Sequence, residues 1–243
     1  MPEMSYRTVP LGDILFFDIE TVSNAPRFDD LSDRMKAQWE RKYGTLRTDD
    51  EDFVNGYTDR AAIYAEFGRI VCISVGVLTG AGAERTLRVK SFHGAEEEIL
   101  KGFSDLLSSR FSHPTARLCG HNIKEFDVPY VCRRMLVHGL PLPRILDIPG
   151  LKPWETQFLD TMQLWKFGDF KAYTSLDLLT AVFGIPTPKE DMEGAMVGYV
   201  FWHDQDVERI VRYCENDVLA VANLLLRLRG EPILPADRLE RAS

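Results

Sequence analysis

Four acidic side chains stand in otherwise apolar stretches: Asp18 and Glu20 in ILFFDIETV, Asp127 in GHNIKEFDVPYV and Asp217 in YCENDVLAV. Burying an unpaired charge costs roughly several kcal/mol, so four carboxylates in such surroundings call for a common partner, and a divalent cation is the simplest one. Two cations held by acids can activate a water molecule and stabilise both the entering and the leaving oxygen of a phosphodiester. Asp18 and Glu20 are two apart at the end of a predicted strand, so both side chains leave the same face, about 6.5 to 7 Å apart along the backbone. Such hard oxygen ligands suit Mg²⁺ or Mn²⁺ rather than the His and Cys sets of zinc. Tyr213 and Asp217 are four apart on a predicted helix, which puts phenol and carboxylate on one face a turn apart. There the acid can hold a cation while the phenol orients or accepts from the attacking water. Each element alone has a plainer reading: an exposed acidic pair, a first-turn acid at Asp127 meeting a helix dipole, and a packed tyrosine on an amphipathic helix.

These residues need a scaffold, and the apolar periodicity supplies one. Ile14 to Phe17, the β-branched run Ile70 to Leu78 and the alternating Leu87 to Phe92 predict three adjacent strands. Ala95 to Phe111 has helical periodicity, with acids early and Lys101 and Arg110 late. Ala116 to Gly120 reads as a short strand leading into a helix from about Phe126 to Val137. Gln157 to Asp160 is a further short strand. Ser175 to Phe183 reads as a helix capped by Thr174 or Ser175 and stopped at Gly184, and Asp204 to Arg229 as a long amphipathic one. Strands first and helices after suggest a mixed α/β sheet in one domain spanning residues 1–243. A mainly helical insertion, about 24–67, separates the first two strands. Its Trp39, Tyr43, Phe53, Tyr57 and Tyr64 argue against disorder, and packing against the domain is preferred to a lid. The tail after Pro232 is expected to fray.

Composition narrows the function classes. A chain of 243 residues, 45% hydrophobic and 27% charged, can bury a sizeable core. No apolar run approaches the roughly 20 residues of a membrane span, and the N-terminus has no signal-peptide pattern, so a cytoplasmic protein is expected. Cys72, Cys119, Cys132 and Cys214 lack a CxxC spacing and read as reduced core thiols. The net charge of −8 excludes a protein that coats nucleic acid by charge alone. It leaves room for a nuclease, with Lys124, Arg133, Arg134, Lys152, Lys166 and Lys171 as local basic groups.

In order and spacing, Asp18-Ile-Glu20, Asn122 with Phe126-Asp127, and Tyr213-x-x-x-Asp217 resemble the three motifs of the DEDD exonuclease superfamily, in its tyrosine subclass. The histidine subclass wants His five residues before the last acid, where this chain has Arg212. Within the superfamily the chain is similar to the proofreading 3'-5' exonuclease domain of family B DNA polymerases, and more narrowly to stand-alone bacterial proteins related to that domain. The narrower likeness rests on CGHNIKEFDVPYVCRR, LKPWE, DTMQLWKFGDFKAYTSLDLL, FGIPTPKEDMEG and RIVRYCENDV, and covers most of Leu118 to Val218.

The resemblance implies a ribonuclease-H-like fold, with a mixed five-stranded sheet flanked by helices. It also implies two divalent cations, Mg²⁺ or Mn²⁺. Asp18 would bridge them, Glu20 and Asp217 would complete the tighter site, Asp127 would hold the second ion, and Tyr213 would position the water. Thr21, Asn122 and Phe126 would contact substrate. Read from the residues alone, Asn122 serves equally as a turn former and Phe126 as core. Asp160 reads as a helix cap, and Trp154, Trp165 and Tyr173 as packed aromatics rather than base-stacking platforms. His121 and His203 are tempting bases out of place for the histidine subclass. The implied activity is hydrolysis from 3' ends of single-stranded or frayed nucleic acid, DNA before RNA, in repair or end trimming. An RNA or short-oligonucleotide exonuclease and a non-catalytic nucleic-acid-binding module are the alternatives.

Overall fold

The computed structural model describes residues 6–44, 53–152, 155–156, 158–169, 171, 173–186 and 192–242. Trp154 and parts of the LKPWE and FGIPTPKEDMEG segments lie outside them. The strands are β1 (Ile14–Ser23), β2 (Gly68–Thr79), β3 (Thr86–His93), β4 (Arg117–Gly120), β5 (Phe158–Asp160) and β6 (Leu239–Arg241). The helices are α1 (Asp33–Tyr43), α2 (Phe53–Arg60), α3 (Glu96–Arg110), α4 (Asp127–Val137), α5 (Thr161–Lys166), α6 (Leu176–Phe183), the short α7 (Val197–Tyr199) and α8 (Val207–Arg229). A π-turn, Val200–Asp204, follows α7.

The sheet runs β5-β4-β1-β2-β3-β6. β1, β2 and β3 form an antiparallel meander, while β4 joins β1, and β5 joins β4, in parallel. The expected three adjacent strands and the mixed α/β sheet are thus present, but the sheet has six strands rather than five. The sixth is β6, from the tail expected to fray. It pairs in parallel with β3, Leu87 opposite Leu239. Upstream, the buried Asn223 side chain holds both backbone groups of Leu234, at 2.7 and 3.0 Å. A three-residue edge strand has no periodicity to announce it, and its pairing comes from tertiary contacts.

Strand alternation divides the interior. Leu15, Phe17 and Ile19 face the core shared with α3 and α4, together with Phe103, Val128 and Val131. Ile14 and Phe16 face Val218, Leu219, Ala222 and Leu225 of α8, and Val22 joins Val211 and Cys214 of the same helix. Asp18 and Glu20 therefore interrupt an otherwise apolar row that faces α8. That helix approaches closely because β2 carries Gly76, where an added Cβ would lie 2.9 Å from Val218 Cγ1.

Across the sheet, buried Glu96 at the start of α3 accepts from the Ile70 N–H at 2.8 Å and from Arg134 Nε of α4 at 2.8 Å. His138 adds a third contact at 2.8 Å. Arg134 also donates to the Ala65 carbonyl. Arg134, expected among the basic groups available to a ligand, is instead a buried structural cation. In the insertion, α1 is capped by the Ser32 side chain, and Trp39 stacks on Tyr43 and meets Tyr57, Tyr64 and Phe67 edge-on. Trp39 Nε1 donates to the Phe53 carbonyl at 3.0 Å, so these aromatics form a small core of their own against the start of β2. All four cysteines are free thiols, three of them buried. No helix among the described residues is long and apolar enough to cross a membrane.

Candidate active site

β1 continues to Ser23, so Asp18 and Glu20 lie inside the strand rather than at its end. Parallel pairing with β4 covers only Ile14 to Phe16, after which β1 is held by β2 alone. The two acids thus sit where the sheet opens on one side, just before a register shift between Glu20 and Thr21. β4 ends at Gly120, where an added Cβ would meet Ile123 Cγ2 at 1.9 Å and the Phe17 carbonyl oxygen at 2.9 Å. Only glycine permits that approach, which brings the following turn against β1.

The turn is built around Asp160, whose carboxylate accepts four backbone N–H groups. Asn122 and Lys124 donate at 3.1 Å each, Met162 at 3.0 Å and Gln163 at 3.2 Å. Asp160 is a satisfied cap joining the start of α5 to the Asn122 turn, as expected of it. Asn122 adopts φ 62°, a left-handed conformation that asparagine tolerates better than most residues. Its carbonyl receives the Phe126 N–H at 3.0 Å, and the next residue, Asp127, opens α4. The Asn122 Oδ1 is buried with no hydrogen-bond partner among the described residues.

A cavity of about 300 Å³ collects the results of this construction: Asp18, Glu20, His121, Asn122, Phe126, Asp127, Tyr173, Gly194, Tyr213 and Asp217 line it. The structure brings together all five residues expected to be catalytic, with Asn122 and Phe126. Thr21 is outside that lining, and its side chain bonds with the Tyr130 phenol. Phe126 is half-buried, its ring 5.5 Å from Tyr130, so it belongs to the core and to the cavity wall at once. Trp165 packs edge-on against Phe183, as expected of a core aromatic. His203 is exposed, stacked on Tyr199 at 4.5 Å and bonded to Asp204.

Electrostatics set the protonation states. Burial first, then the charges of Asp127, Asp217 and Glu20, push the Asp18 carboxyl well above its ordinary value. Glu20 is raised in the same way, by burial and then by Asp217. Asp127 is pushed up to about 7, chiefly by burial; the N–H groups of Ile19 and of Asp127 itself pull the other way. Like charges this close share a site only with compensation. The donor chemistry fits a hard divalent cation, and ligand atoms of Asp18, Glu20 and Cys214 lie within 4.8 Å of one another. Burial, followed by the charges of Asp217, Glu20 and Asp18, also raises Tyr213, so its phenol keeps its proton.

Two contributors escape a reading of the sequence alone. Cys214 donates its S–H to the Asp18 carbonyl at 3.4 Å and to Asp18 Oδ2 at 3.5 Å. Burial holds the thiol protonated. Its position one turn before Asp217 was the available signal, outweighed by its apolar neighbours. Gly194 borders the cavity where an added Cβ would lie 3.7 Å from the Tyr213 hydroxyl, and nothing in its local sequence marks it.

Comparisons with known proteins bear on the family and the fold. The family described as "Predicted 3'-5' exonuclease related to the exonuclease domain of PolB" matches residues 61–231, a span that holds Asp127, Tyr213 and Asp217 and begins after Asp18 and Glu20. No curated protein matches the chain. Among solved structures, the family B DNA polymerase from the hyperthermophilic archaeon Pyrobaculum calidifontis is similar over 88% of this chain, with 18% identity and a TM-score of 0.57. The chain spans 24% of that polymerase, and the likeness establishes the ribonuclease-H-like fold of its exonuclease domain. Because the family match extends over more than half of its residues, the chain belongs to the family of predicted 3'-5' exonucleases related to the exonuclease domain of PolB.

Proposed function

We propose that this protein is a metal-dependent exonuclease that hydrolyses the terminal phosphodiester at 3' ends of single-stranded or frayed DNA, releasing nucleoside 5'-monophosphates. The observation that carries the reading is the convergence of Asp18, Glu20, Asp127, Tyr213 and Asp217 from β1, α4 and α8 on one cavity. Asp18, Glu20, Asp127 and Asp217 would hold two divalent cations, Mg²⁺ or Mn²⁺. Bound there, the cations would neutralise the phosphate and lower the pKa of a water nucleophile.

The protein's own groups do the rest. The Tyr213 hydroxyl, which borders the same cavity as the acids, orients the attacking water. Cys214 fixes the Asp18 carboxylate from behind, and the N–H of Ile19 does the same for Asp127. Asn122, with its Oδ1 free of protein partners among the described residues, and Phe126 face the terminal nucleotide. Thr21 acts indirectly, through the bond of its side chain with the Tyr130 phenol. A cytoplasmic setting suits the four reduced thiols, and trimming of damaged or mispaired 3' ends suits the activity. The intact acid set speaks against a binding module without catalysis.

The test uses one oligonucleotide labelled at either end, as DNA and as RNA, with Mg²⁺ or Mn²⁺. The 5'-labelled strand should shorten stepwise while the 3'-labelled strand loses its label at once as a mononucleotide. Asp18→Ala or Asp217→Ala should abolish both signals. A ladder running from the 5' end, or cleavage untouched by either substitution, would refute the reading. Cleavage of RNA alone would move the substrate class to RNA.

A further inference from the structure

Tyr173 is 71% exposed, yet it lines the acidic cavity. Among the described residues its ring has no aromatic or hydrogen-bonded partner. An unpacked ring on an idle loop would need no explanation, but the backbone beside this one is anchored. The next carbonyl, Thr174, accepts from Nε2 of His121 at 2.8 Å, and the other nitrogen of that half-buried imidazole meets Thr161 Oγ1 at 3.0 Å. Because a carbonyl can only accept, Nε2 carries a proton, while the Thr161 hydroxyl lies between Nδ1 and the Gly120 carbonyl, to which it donates at 3.1 Å. Burial holds the His121 imidazole below its ordinary value. One residue further on, the Ser175 side chain caps α6 through the Leu178 N–H at 3.2 Å. His121 itself follows Gly120, so the backbone next to Tyr173 is tied to the same turn that positions Asn122.

We propose that Tyr173 is a stacking platform for an unpaired nucleobase at the 3' end, at the terminal or the adjoining position, with His121 as the residue that positions it. This deepens the exonuclease reading and rests on it. An aromatic face suits a ligand whose phosphates meet an acidic protein: stacking gains affinity without neutralising phosphate, and every base has a π-face. It also requires an unpaired base, since a paired and stacked one does not offer its face, so the ring would select single-stranded over duplex ends. Lys166, whose charge reaches His121, and exposed Lys171 flank the loop and suit the passing backbone.

The experiment measures binding and turnover of the full chain separately. Affinity is read by fluorescence anisotropy of 5'-labelled oligothymidylate with Ca²⁺ in place of Mg²⁺. Three probes are compared: the intact strand, and strands with an abasic unit at the last or the next-to-last position. Tyr173→Ala should weaken intact-strand binding about 5- to 150-fold, the range of one stacked base. It should raise KM with kcat little changed, and Tyr173→Phe and Tyr173→Trp should restore both. Against one of the two abasic strands the loss should vanish, because the partner of the ring is gone. His121→Ala should give a smaller loss of the same pattern, with its melting temperature showing that it folds. An equal loss on all three probes, or no loss on the intact strand, would overturn the proposal even if the enzyme cleaves normally. Base-dependent loss in a protein that never hydrolyses the strand would uphold the platform and refute the activity.

Discussion

At the residue scale, the fate of Tyr213 distinguishes a catalytic phenol from a packed one. Tyr213→Phe removes only the hydroxyl, so kcat should fall by about 10- to 1,000-fold while cation affinity, measured by calorimetry, stays within about twofold. The buried acids carry a second outcome. Because Asp18 and Glu20 are raised by burial and by the charges of neighbouring acids, the cation-free protein is strained at neutral pH. Asp18→Asn should therefore melt at or above the wild-type temperature in EDTA, a gain of about 1 kcal/mol, and lack the stabilisation by Mg²⁺ expected of the wild type. The acids were legible in the sequence because their spacings of two and four match strand and helix periods. Cys214 and Gly194 were not: the apolar neighbours of Cys214 outweighed its position one turn before Asp217, and Gly194 acts through a contact across the chain that no local spacing encodes.

At the element scale, two joints hold the site. Gly120→Ala places a methyl against the Phe17 carbonyl and Ile123, and should cost about 1 to 3 kcal/mol by denaturant melting and displace the Asn122 turn. The second joint, Glu96 with Arg134, ties α3, α4 and β2 together. Burial pushes the Glu96 carboxyl up, but bonds from Arg134, the Ile70 N–H and His138 outweigh it, so the group sits below its ordinary value. With the folded value depressed, its stabilisation is complete above the unfolded carboxyl range near about pH 4.3 and is lost as pH falls through the folded value. Glu96→Gln, which leaves Arg134 buried without its counter-charge, should lower stability at neutral pH by about 3 to 5 kcal/mol and flatten the acid side of the melting profile. A melting curve that keeps its wild-type acid dependence would contradict this assignment. Of the elements, the meander and the long helices could be read from periodicity. β6 could not, since Leu239–Arg241 is a strand only because β3 offers an edge and Arg241 reaches buried Glu215 at 2.7 Å. The extension of β1 past its expected end was equally hidden, because it depends on β2 as a partner.

At the scale of the whole molecule, charge decides how substrate is held. With a net charge of −8 and Arg134 committed to Glu96, the protein's overall charge does not favour a strand's phosphates. The salt dependence of single-strand binding should be shallow, with a log–log slope no steeper than about −2, equivalent to roughly three phosphates at about −0.7 each. A steep slope would point to a basic track outside the cavity. The fold class was legible at this scale because apolar runs alternate with helical patterns along most of the chain. The six-strand order was not, because it rests on pairings between distant segments.

The contact between the Cys214 thiol and the Asp18 carbonyl joins residues 196 positions apart. The cavity is therefore closed by the last long helix against the first strand, and everything between must be synthesised before it exists. A nascent chain emerging from the ribosome carries Asp18, Glu20 and Asp127 early, but it presents the apolar row of Ile14, Phe16 and Val22 without its cover until α8 arrives. Such a high-contact-order closure makes docking of that helix a slow, late step in folding. It also means that the proposed activity would appear all at once: a chain shortened before α8 would hold an acid-lined sheet without the helix that completes the cavity.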